Sequence, residues 1–324
     1  MTLEDEHVTD TAATVGHLVR ETELGCSLDI GLFAKHLGTG STIEINPDRV
    51  FPTASVFKVP VMAEVFRQAR AGKFSLSDRM TLTEASKTLN TGVLLSLDDG
   101  LQPTIRDLVE LMNIVSDNTA TSMLVELVGR NHINEFMIEL GCPEIHVTLD
   151  VHEMFLHAWH LPLDRPVGVA ELSSAAKKAP MDYDSLTFAR TPDNTIATAR
   201  STARLLERMA LGEVVDRRAS EEMVEILRGQ HFTSRIPKYL PWGAYANKTG
   251  TLRGLRNDAG LIWRDGDDCV AYCMYTFDPT ALPANNSELL VRRTDAVEEL
   301  MAQVGLALWN WGDGADELFA QKAS

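Results

Sequence analysis

The chain has 324 residues, of which 44% are hydrophobic, so it can bury a sizeable core in one large domain or two. Its formal net charge of −16 and its isoelectric point of about 5.0 argue against nucleic acid and anionic membrane surfaces as partners. The start of the chain is acidic and lacks the apolar core of a secretory signal, and no run is long enough to span a membrane. We therefore expect a cytoplasmic protein as numbered, or a secreted or periplasmic one if a leader was removed.

Four cysteines are scattered along the chain, at Cys26, Cys142, Cys269 and Cys273. The last two lie four residues apart in a predicted strand, where they share a face but are too far apart to form a disulfide. The sequence therefore predicts four free thiols, in keeping with a cytoplasmic protein.

The first half of the chain predicts two strands followed by a block of helices. Asp10 is a suitable N-cap for an amphipathic helix, and Thr104-Ile105-Arg106-Asp107 resembles a capping box with Asp in place of Glu. Gly129 and Gly141 end the helices that precede them. In chain order, the predicted elements are a helix at 10–23, strands at 27–36 and 42–45, and helices at 55–71, from 104, at 119–128 and at 132–140.

The second half changes from helices back to strands. The segment 147–194 is the least regular and holds four prolines. After Pro237 and Pro241, alternating apolar residues predict strands, and 264–268 closes a hairpin between two of them. The predicted elements here are helices at 151–160, 168–178, 195–209 and 220–227, strands at 247–252, 258–263 and 270–277, and a final helix at 294–309.

This order of elements predicts an α+β fold. The simplest arrangement pairs the first and last strands in one antiparallel sheet, flanked by the N- and C-terminal helices, with an all-helical subdomain inserted beside it. We expect a single domain over 1–324, with an α/β part from 1–50 and 236–324 and a helical part from 51–235. The cleft between the two parts is the natural place for a site.

The predicted helix that begins at Ser55 is apolar on nearly every side, which indicates that it is buried. An ammonium near the start of a buried helix needs a reason, because an unpaired buried charge is costly. Ser55 and Lys58 are three residues apart and share a helix face, so the amine is within reach of the hydroxyl proton. Burial also favours the neutral amine, which can act as a base.

Two further short motifs follow, Ser116-Asp117-Asn118 in a break between helices and Lys248-Thr249-Gly250 on a strand. Together with Ser55-Val56-Phe57-Lys58 they form the ordered set found in class A β-lactamases and penicillin-binding proteins. The chain resembles that family, and more closely the class A β-lactamases, from about Ala13 to the C-terminal helix. Asn257-Asp258-Ala259-Gly260 also fits. The resemblance implies a β-lactamase-like fold.

The chemistry of these residues is that of acyl transfer to a serine. Ser55 is the predicted nucleophile that attacks an amide carbonyl, and Lys58 takes or relays its proton. Ser116 can pass a proton to the departing nitrogen, helped by the nearby Lys248 ammonium.

The remaining motif residues are predicted to bind the substrate. Asn118 offers an amide to its side-chain amide, and Thr249 offers a hydroxyl to its carboxylate. Gly250, on an edge strand, allows close approach of the ligand. The family resemblance implies an oxyanion hole made by the backbone N–H groups of Ser55 and Thr251.

The resemblance also implies a glutamate in the pattern E-x-x-L-N that activates the water releasing the acyl-enzyme. Glu153 lies 37 residues after Ser116 and has the leucine at the expected offset, so we predict that it is this base. The alternative for Glu153 is a solvated loop carboxylate. His157 stands where the family has Asn, and we expect it beside the water. Val151 cannot supply the arginine that often closes this loop, and the loop at 161–193 is longer here.

Two further features are open to more than one interpretation. Arg256 either helps to bind a substrate carboxylate or is a surface arginine. The group of His152, Glu153, His157 and His160 lacks the H-E-x-x-H spacing, so we expect no metal. We expect no cofactor, a small-molecule partner (a β-lactam or a related acyl donor), no nucleic acid or membrane partner, and a monomer.

The leading hypothesis is a serine β-lactamase that hydrolyses the lactam amide through an acyl-Ser55 intermediate. The second is a cytoplasmic serine amidase, esterase or D,D-peptidase-like hydrolase of the same fold, which the missing signal peptide favours. The third is a penicillin-binding sensor that is acylated and stays acylated. Glu153 argues against the third hypothesis.

Overall fold

The computed structural model describes residues 11–25, 28–264, 268–279 and 287–311. Cys26 and the centre of the predicted hairpin turn, 265–267, lie outside these ranges. The helices are α1 (Thr11–Gly25), α2 (Lys58–Arg70), α3 (Ile105–Ile114), α4 (Asn118–Val128), α5 (Arg130–Glu139), α6 (Val151–Ala158), α7 (Val169–Lys178), α8 (Ala199–Ala210), α9 (Arg217–Arg228) and α10 (Ser287–Trp309). The strands are β1 (Asp29–His36), β2 (Thr42–Ile45), β3 (Val50–Pro52), β4 (Ile196–Thr198), β5 (Tyr245–Leu252), β6 (Leu255–Trp263) and β7 (Cys269–Phe277).

The main sheet joins the two ends of the chain. Its order is β2-β1-β7-β6-β5, and all its pairs are antiparallel. Strand β1 pairs with β7 from Asp29 opposite Phe277 to His36 opposite Val270. The predicted α+β class and the pairing of first and last strands are therefore confirmed.

A second, two-stranded sheet of β3 and β4 was not predicted. Each strand has three residues, too few to show an alternating pattern. As a result, the helix predicted from 195 begins later than expected, after Thr198, whose side chain caps α8 by accepting a hydrogen bond from the Ser201 N–H.

Successive residues of the main sheet point to opposite faces, and each face is covered by helices. On β1, Leu32 packs into one hydrophobic cluster with α1 and α10, and Phe33 packs into the other with the helical block. Burial of each large apolar side chain stabilises the fold by about 1.5–3 kcal/mol. The site described below lies where the helical block meets the edge strand β5.

Helix α2 lies at the centre of the helical block. Each residue from Lys58 to Phe66 is buried, so the predicted buried helix is confirmed, although its first turn is a separate 3-10 helix, Ala54–Phe57. Among the described helices, none is both long and apolar enough to cross a membrane.

Candidate active site

Ser55 lies in the 3-10 helix Ala54–Phe57 that leads into α2. The residue before it, Ala54, has a φ of 44°, a left-handed conformation that costs an L-residue about 1–2 kcal/mol. Asn257 stabilises the strained turn, because its Nδ2 donates to the carbonyl oxygens of Pro52 and Thr53 at 3.1 Å each. Ser55 is half-buried and lines a pocket of about 300 Å³.

Gly250 is needed because β5 packs directly against this turn. A Cβ at Gly250 would lie 2.5 Å from the carbonyl oxygen of Thr53 and 3.1 Å from a methyl carbon of Val56. Gly250 thus admits the segment that carries the nucleophile, and its role in admitting the ligand stays a prediction. Thr249 and Thr251, on the other face of the strand, line the pocket.

The amine of Lys58 is completely buried and has three oxygen neighbours. Its Nζ lies 2.8 Å from the carbonyl oxygen of Ser116, 2.8 Å from Asn118 Oδ1 and 3.1 Å from Ser116 Oγ. Burial, followed by the nearby Lys248 charge, lowers the pKa of Lys58 well below its usual value, and Asp117 partly opposes this. The shift is in the direction that a base requires. The amine donates to the two carbonyl-type oxygens and to the hydroxyl.

Ser116 Oγ joins the two lysines of the motifs. It lies 3.1 Å from Lys58 Nζ and 3.1 Å from Lys248 Nζ, which also donates to the Thr249 carbonyl oxygen at 2.9 Å. Burial, with a smaller contribution from Arg235, lowers the pKa of Lys248 to about 7, although Asp258 opposes the shift. One hydroxyl thus connects the two buried lysine amines.

The break that carries Ser116 is held by Asp117. Ser116 has a φ of 56°, and the Asp117 side chain caps α4 by accepting from the Ala120 N–H. Asp117 Oδ2 also accepts from the backbone N–H groups of Val93 and Leu94 at 2.6 and 2.9 Å. This network fixes the loop before α4 against the pocket, and Asn118 lines the pocket at the start of the helix.

Glu153 is one of the predicted site residues that do not line the pocket of Ser55. Its Oε2 accepts from the backbone N–H of Asp150 at 3.0 Å and from Arg130 Nη2 at 2.8 Å. The first contact is half of a capping box at the start of α6, because the Glu153 N–H in turn donates to Asp150 Oδ1 at 2.8 Å. The carboxylate thus turns back towards the N-terminus of its own helix.

The face of α6 that borders the pocket is apolar. It consists of Val151, Met154 and Phe155, spaced i, i+3 and i+4. Glu153 lies about 200° around the helix from both Val151 and Phe155. In this structure the Glu153 carboxylate pairs with Arg130 and the Asp150 N–H, so its role as the base that releases the acyl group stays a prediction.

His157 follows Glu153 by four residues and shares its side of α6, so it too is absent from the pocket lining. The expectation that His157 lies beside the reactive water therefore stays a prediction. His152 points to another part of the protein, where its Nδ1 lies 3.2 Å from Thr88 Oγ1.

Arg235 is the buried arginine of the pocket, and the sequence prediction missed it. Its guanidinium donates to the carbonyl oxygens of Gly250 and Asn257 at 3.0 and 2.6 Å and to Thr251 Oγ1 at 2.6 Å. Arg235 belongs to none of the three motifs, and we find no sequence signal that distinguishes it from other arginines.

Arg256, the predicted arginine, is not part of the pocket lining. Its Nη1 donates to the carbonyl oxygens of Leu252 and Leu255 at 2.8 Å each, so it braces the β5–β6 hairpin. Both Arg235 and Arg256 approach Glu298 of α10, with Nε to Oε1 distances of 3.3 and 3.2 Å. The carboxylate-binding role predicted for Arg256 therefore fits Arg235 better.

The arrangement combines a half-buried nucleophile, a base and a cationic end. Ser55, the oxygens around Lys58, and the hydroxyls of Thr249 and Thr251 surround one pocket. Such a site can transfer an acyl group from an amide that carries a carboxylate to the serine hydroxyl.

Comparison with known proteins identifies the family of the chain. Residues 18–311 match the model of the beta-lactamase enzyme family. A β-lactamase of Streptomyces fradiae is 29% identical over 264 residues, covering 78% of this chain and 75% of that protein. One from Streptomyces albus G is 30% identical over 251 residues, covering 73% and 68%. The crystal structure of a β-lactamase from Sphaerobacter thermophilus superimposes with a TM-score of 0.71 at 27% identity, covering 91% of this chain and 95% of that one.

Proposed function

The chain belongs to the beta-lactamase enzyme family, and we propose that it is a serine β-lactamase that works through an acyl-Ser55 intermediate. The observation that supports this most directly is the Ser116 hydroxyl, which lies 3.1 Å from both lysine amines beside the pocket of Ser55. That contact provides a path for protons between the nucleophile and the leaving nitrogen. Relatives that are β-lactamases agree with a hydrolase of the class A type.

In the acylation step, Ser55 Oγ attacks the lactam carbonyl carbon and its proton passes to the neutral Lys58. The backbone N–H groups of Ser55 and Thr251 stabilise the developing oxyanion. The C–N bond then breaks, and the nitrogen takes the proton of Ser116 Oγ, which Lys58 replaces. Lys248 and Arg235 hold the substrate carboxylate at the cationic end of the pocket.

In the hydrolysis step, water attacks the ester carbonyl and Ser55 Oγ leaves with a proton. Because Glu153 faces Arg130, Lys58 is the base that we assign to this step. The same geometry supports a second candidate, a penicillin-binding sensor that stays acylated, since a pocket wall of Val151, Met154 and Phe155 offers no carboxylate to activate water.

Intact-mass measurement with excess penicillin tests the proposal. The wild-type protein should gain one penicillin mass, transiently if it is a β-lactamase and persistently if it is a sensor. The Ser55→Ala variant should gain none. An adduct that forms equally on Ser55→Ala would contradict the assignment of Ser55 as the nucleophile.

A further inference from the structure

The segment from Gln230 to Arg235, between α9 and β5, forms one wall of the pocket of Ser55. Phe232, Ser234 and Arg235 line the pocket from this segment. Their side chains differ in chemistry, because Arg235 provides a buried cation and Phe232 a phenyl ring that is 43% exposed. This wall therefore offers a substrate both positive charge and apolar surface.

Phe232 differs from the other large apolar residues of the pocket lining. Val151, Met154 and Phe155 of α6 are buried and belong to the hydrophobic core. Phe232 forms no aromatic pair and no cation–π contact with the described residues. Its ring can therefore pack against a ligand, and aromatic rings gain from such packing both by area and by ring–ring contact.

The backbone of Phe232 is fixed to the end of α3. The Phe232 N–H donates to Gln230 Oε1 at 3.0 Å, and Gln230 Nε2 donates to the carbonyl oxygen of Asn113 at 2.9 Å. The His231 N–H donates to the carbonyl oxygen of Ile114 at 3.0 Å. Gln230 is only 1% exposed, so its hydrogen bonds are shielded from water. The backbone that carries the ring is thus ordered before a ligand binds, which lowers the entropic cost of binding.

This anchor places Phe232 on the side of the pocket where the leaving nitrogen is handled. Helix α3 ends at Ile114, and Ser116 follows two positions later. At the other end of the segment, Arg235 donates to Thr251 Oγ1 at 2.6 Å in the cationic end of the pocket. The segment thus runs from an anchor beside Ser116 to the cationic end, and Phe232 lies between the two.

The chemistry of a β-lactam identifies the group that Phe232 meets there. In a penicillin or a cephalosporin, the scissile nitrogen and the carboxylate belong to the same fused ring. In the proposed function, Ser116 protonates that nitrogen, and Lys248 and Arg235 hold that carboxylate. A side chain between these groups faces the fused ring and its substituents.

We propose that Phe232 is a specificity-determining residue whose ring binds an aromatic substituent on the fused ring, next to the carboxylate. The inference rests on the proposed function, because the lactam must lie with its carbonyl at Ser55 and its carboxylate at Arg235. An aromatic substituent in this position pairs with the Phe232 ring, whereas a methyl group covers little of it.

Two cephalosporins that share an acetyl side chain test this inference. They differ only at the carbon next to the one that bears the carboxylate, which carries methyl in one and benzyl in the other. Both groups are linked through carbon, so neither is expelled when the lactam opens. We expect the second-order rate constant for acylation of Ser55 to be about fivefold higher for the benzyl compound, the scale of one aromatic pair. Phe232→Ala should bring this ratio close to one, and Phe232→Tyr, which keeps the ring, should preserve it.

Trp242→Ala is the matched control, because Trp242 is an exposed aromatic residue of the same connection that does not line the pocket. It should keep the wild-type ratio. Each ratio is taken within one variant, so a change in the amount of folded protein cancels. Equal rate constants in the wild type, or a preference for the benzyl compound that survives in Phe232→Ala, would overturn the inference. If neither cephalosporin acylates Ser55, the proposed function fails and the inference fails with it.

Discussion

The amine of Lys58 lies in a buried site with three oxygen neighbours. Its Nζ lies 2.8 Å from the Ser116 carbonyl oxygen, 2.8 Å from Asn118 Oδ1 and 3.1 Å from the Ser116 hydroxyl. The buried site provides no carboxylate within hydrogen-bond distance of Nζ among the described residues. Burial and the nearby Lys248 charge lower the pKa of Lys58, which is the direction that a base requires.

Replacing Lys58 by Arg should therefore remove the base while keeping a cation, because a guanidinium does not deprotonate in proteins. We expect the acylation rate with a chromogenic cephalosporin to fall by about 10²–10⁴-fold, the usual contribution of a general base. Lys35→Arg, which changes a lysine paired with Glu207 outside the pocket, should leave the rate unchanged. Acylation of Lys58→Arg at the wild-type rate would rule out the base role.

Lys248 should make the preference for anionic substrates depend on pH. Because its pKa is lowered to about 7, the ammonium that faces the substrate carboxylate is lost as the pH rises through that value. We expect the kcat/KM ratio of a penicillin to an uncharged aryl ester to fall by roughly tenfold between about pH 6 and pH 8.5, the effect of losing one charged hydrogen bond. Lys248→Arg keeps its charge, so its ratio should be flat over this range. A wild-type ratio that is independent of pH would contradict this role.

At the scale of a single element, the side chains that α6 presents to the pocket should affect the rate of deacylation. Glu153→Gln should leave the deacylation rate within about twofold of wild type. If Glu153 were the general base, the rate should instead fall by about 10²–10⁴-fold. Met154→Glu, which places a carboxylate on the pocket face, should raise it by at least about tenfold. Single-turnover measurement of ester loss from acyl-Ser55 compares the two variants. If Glu153→Gln stalls as a long-lived acyl-enzyme, the carboxylate must reach the pocket during turnover.

The same helix shows what the sequence could and could not predict. Periodicity and turn residues predicted the main sheet, the buried α2 and the order of the helices, because each is a local pattern repeated over many residues. They also predicted a helix at 151–160. Its phase could not be read, because it depends on the capping box of Asp150 and Glu153, which fixes where the first turn starts.

Arg235 and Gly250 mark a second limit of sequence reasoning. Both owe their roles to close contacts between segments far apart in the chain, Arg235 with the β5–β6 pair and Gly250 with the turn at Thr53. Neither contact produces a periodic pattern in the amino-acid sequence. The three motifs could be recognised from the sequence because each holds its reactive groups within a few residues.

At the scale of the whole molecule, buried titratable groups should shape the dependence of stability on pH. The pKa of Lys248 is lowered to about 7 in the native state. Between that pH and the pKa of Lys248 in the unfolded chain, the unfolded chain therefore binds a proton that the native state does not. Lys58 acts in the same direction. Because stability rises with pH wherever the unfolded state binds more protons, both lysines make it increase from about pH 7 upwards.

Three cysteines reverse this trend at higher pH. Burial raises the pKa of Cys142 and Cys269 to about 12 and that of Cys273 well above its usual value. Above about pH 9 the unfolded thiols therefore ionise while the native ones stay neutral. The free energy of unfolding, measured with urea between pH 6.5 and pH 10, should therefore pass through a maximum near pH 8.5–9. Lys248→Met should flatten the rising part. A rising limb that is identical in wild type and Lys248→Met would contradict the assignment.

The pairing of β1 with β7 also bears on how the protein is made. Asp29 leaves the ribosome about 250 residues before its partner Phe277, which at about 5–20 residues per second is a wait of roughly 12–50 s. During that time the nascent β1 can pair with β2, but its other edge remains open, and its buried face has neither α10 nor the later helices to cover it. The helical segments between them are complete first, so they can collapse while the sheet that anchors them is still unfinished. The fold thus exposes an apolar strand edge for most of its synthesis, the kind of surface that chaperones recognise and that aggregates when they are scarce.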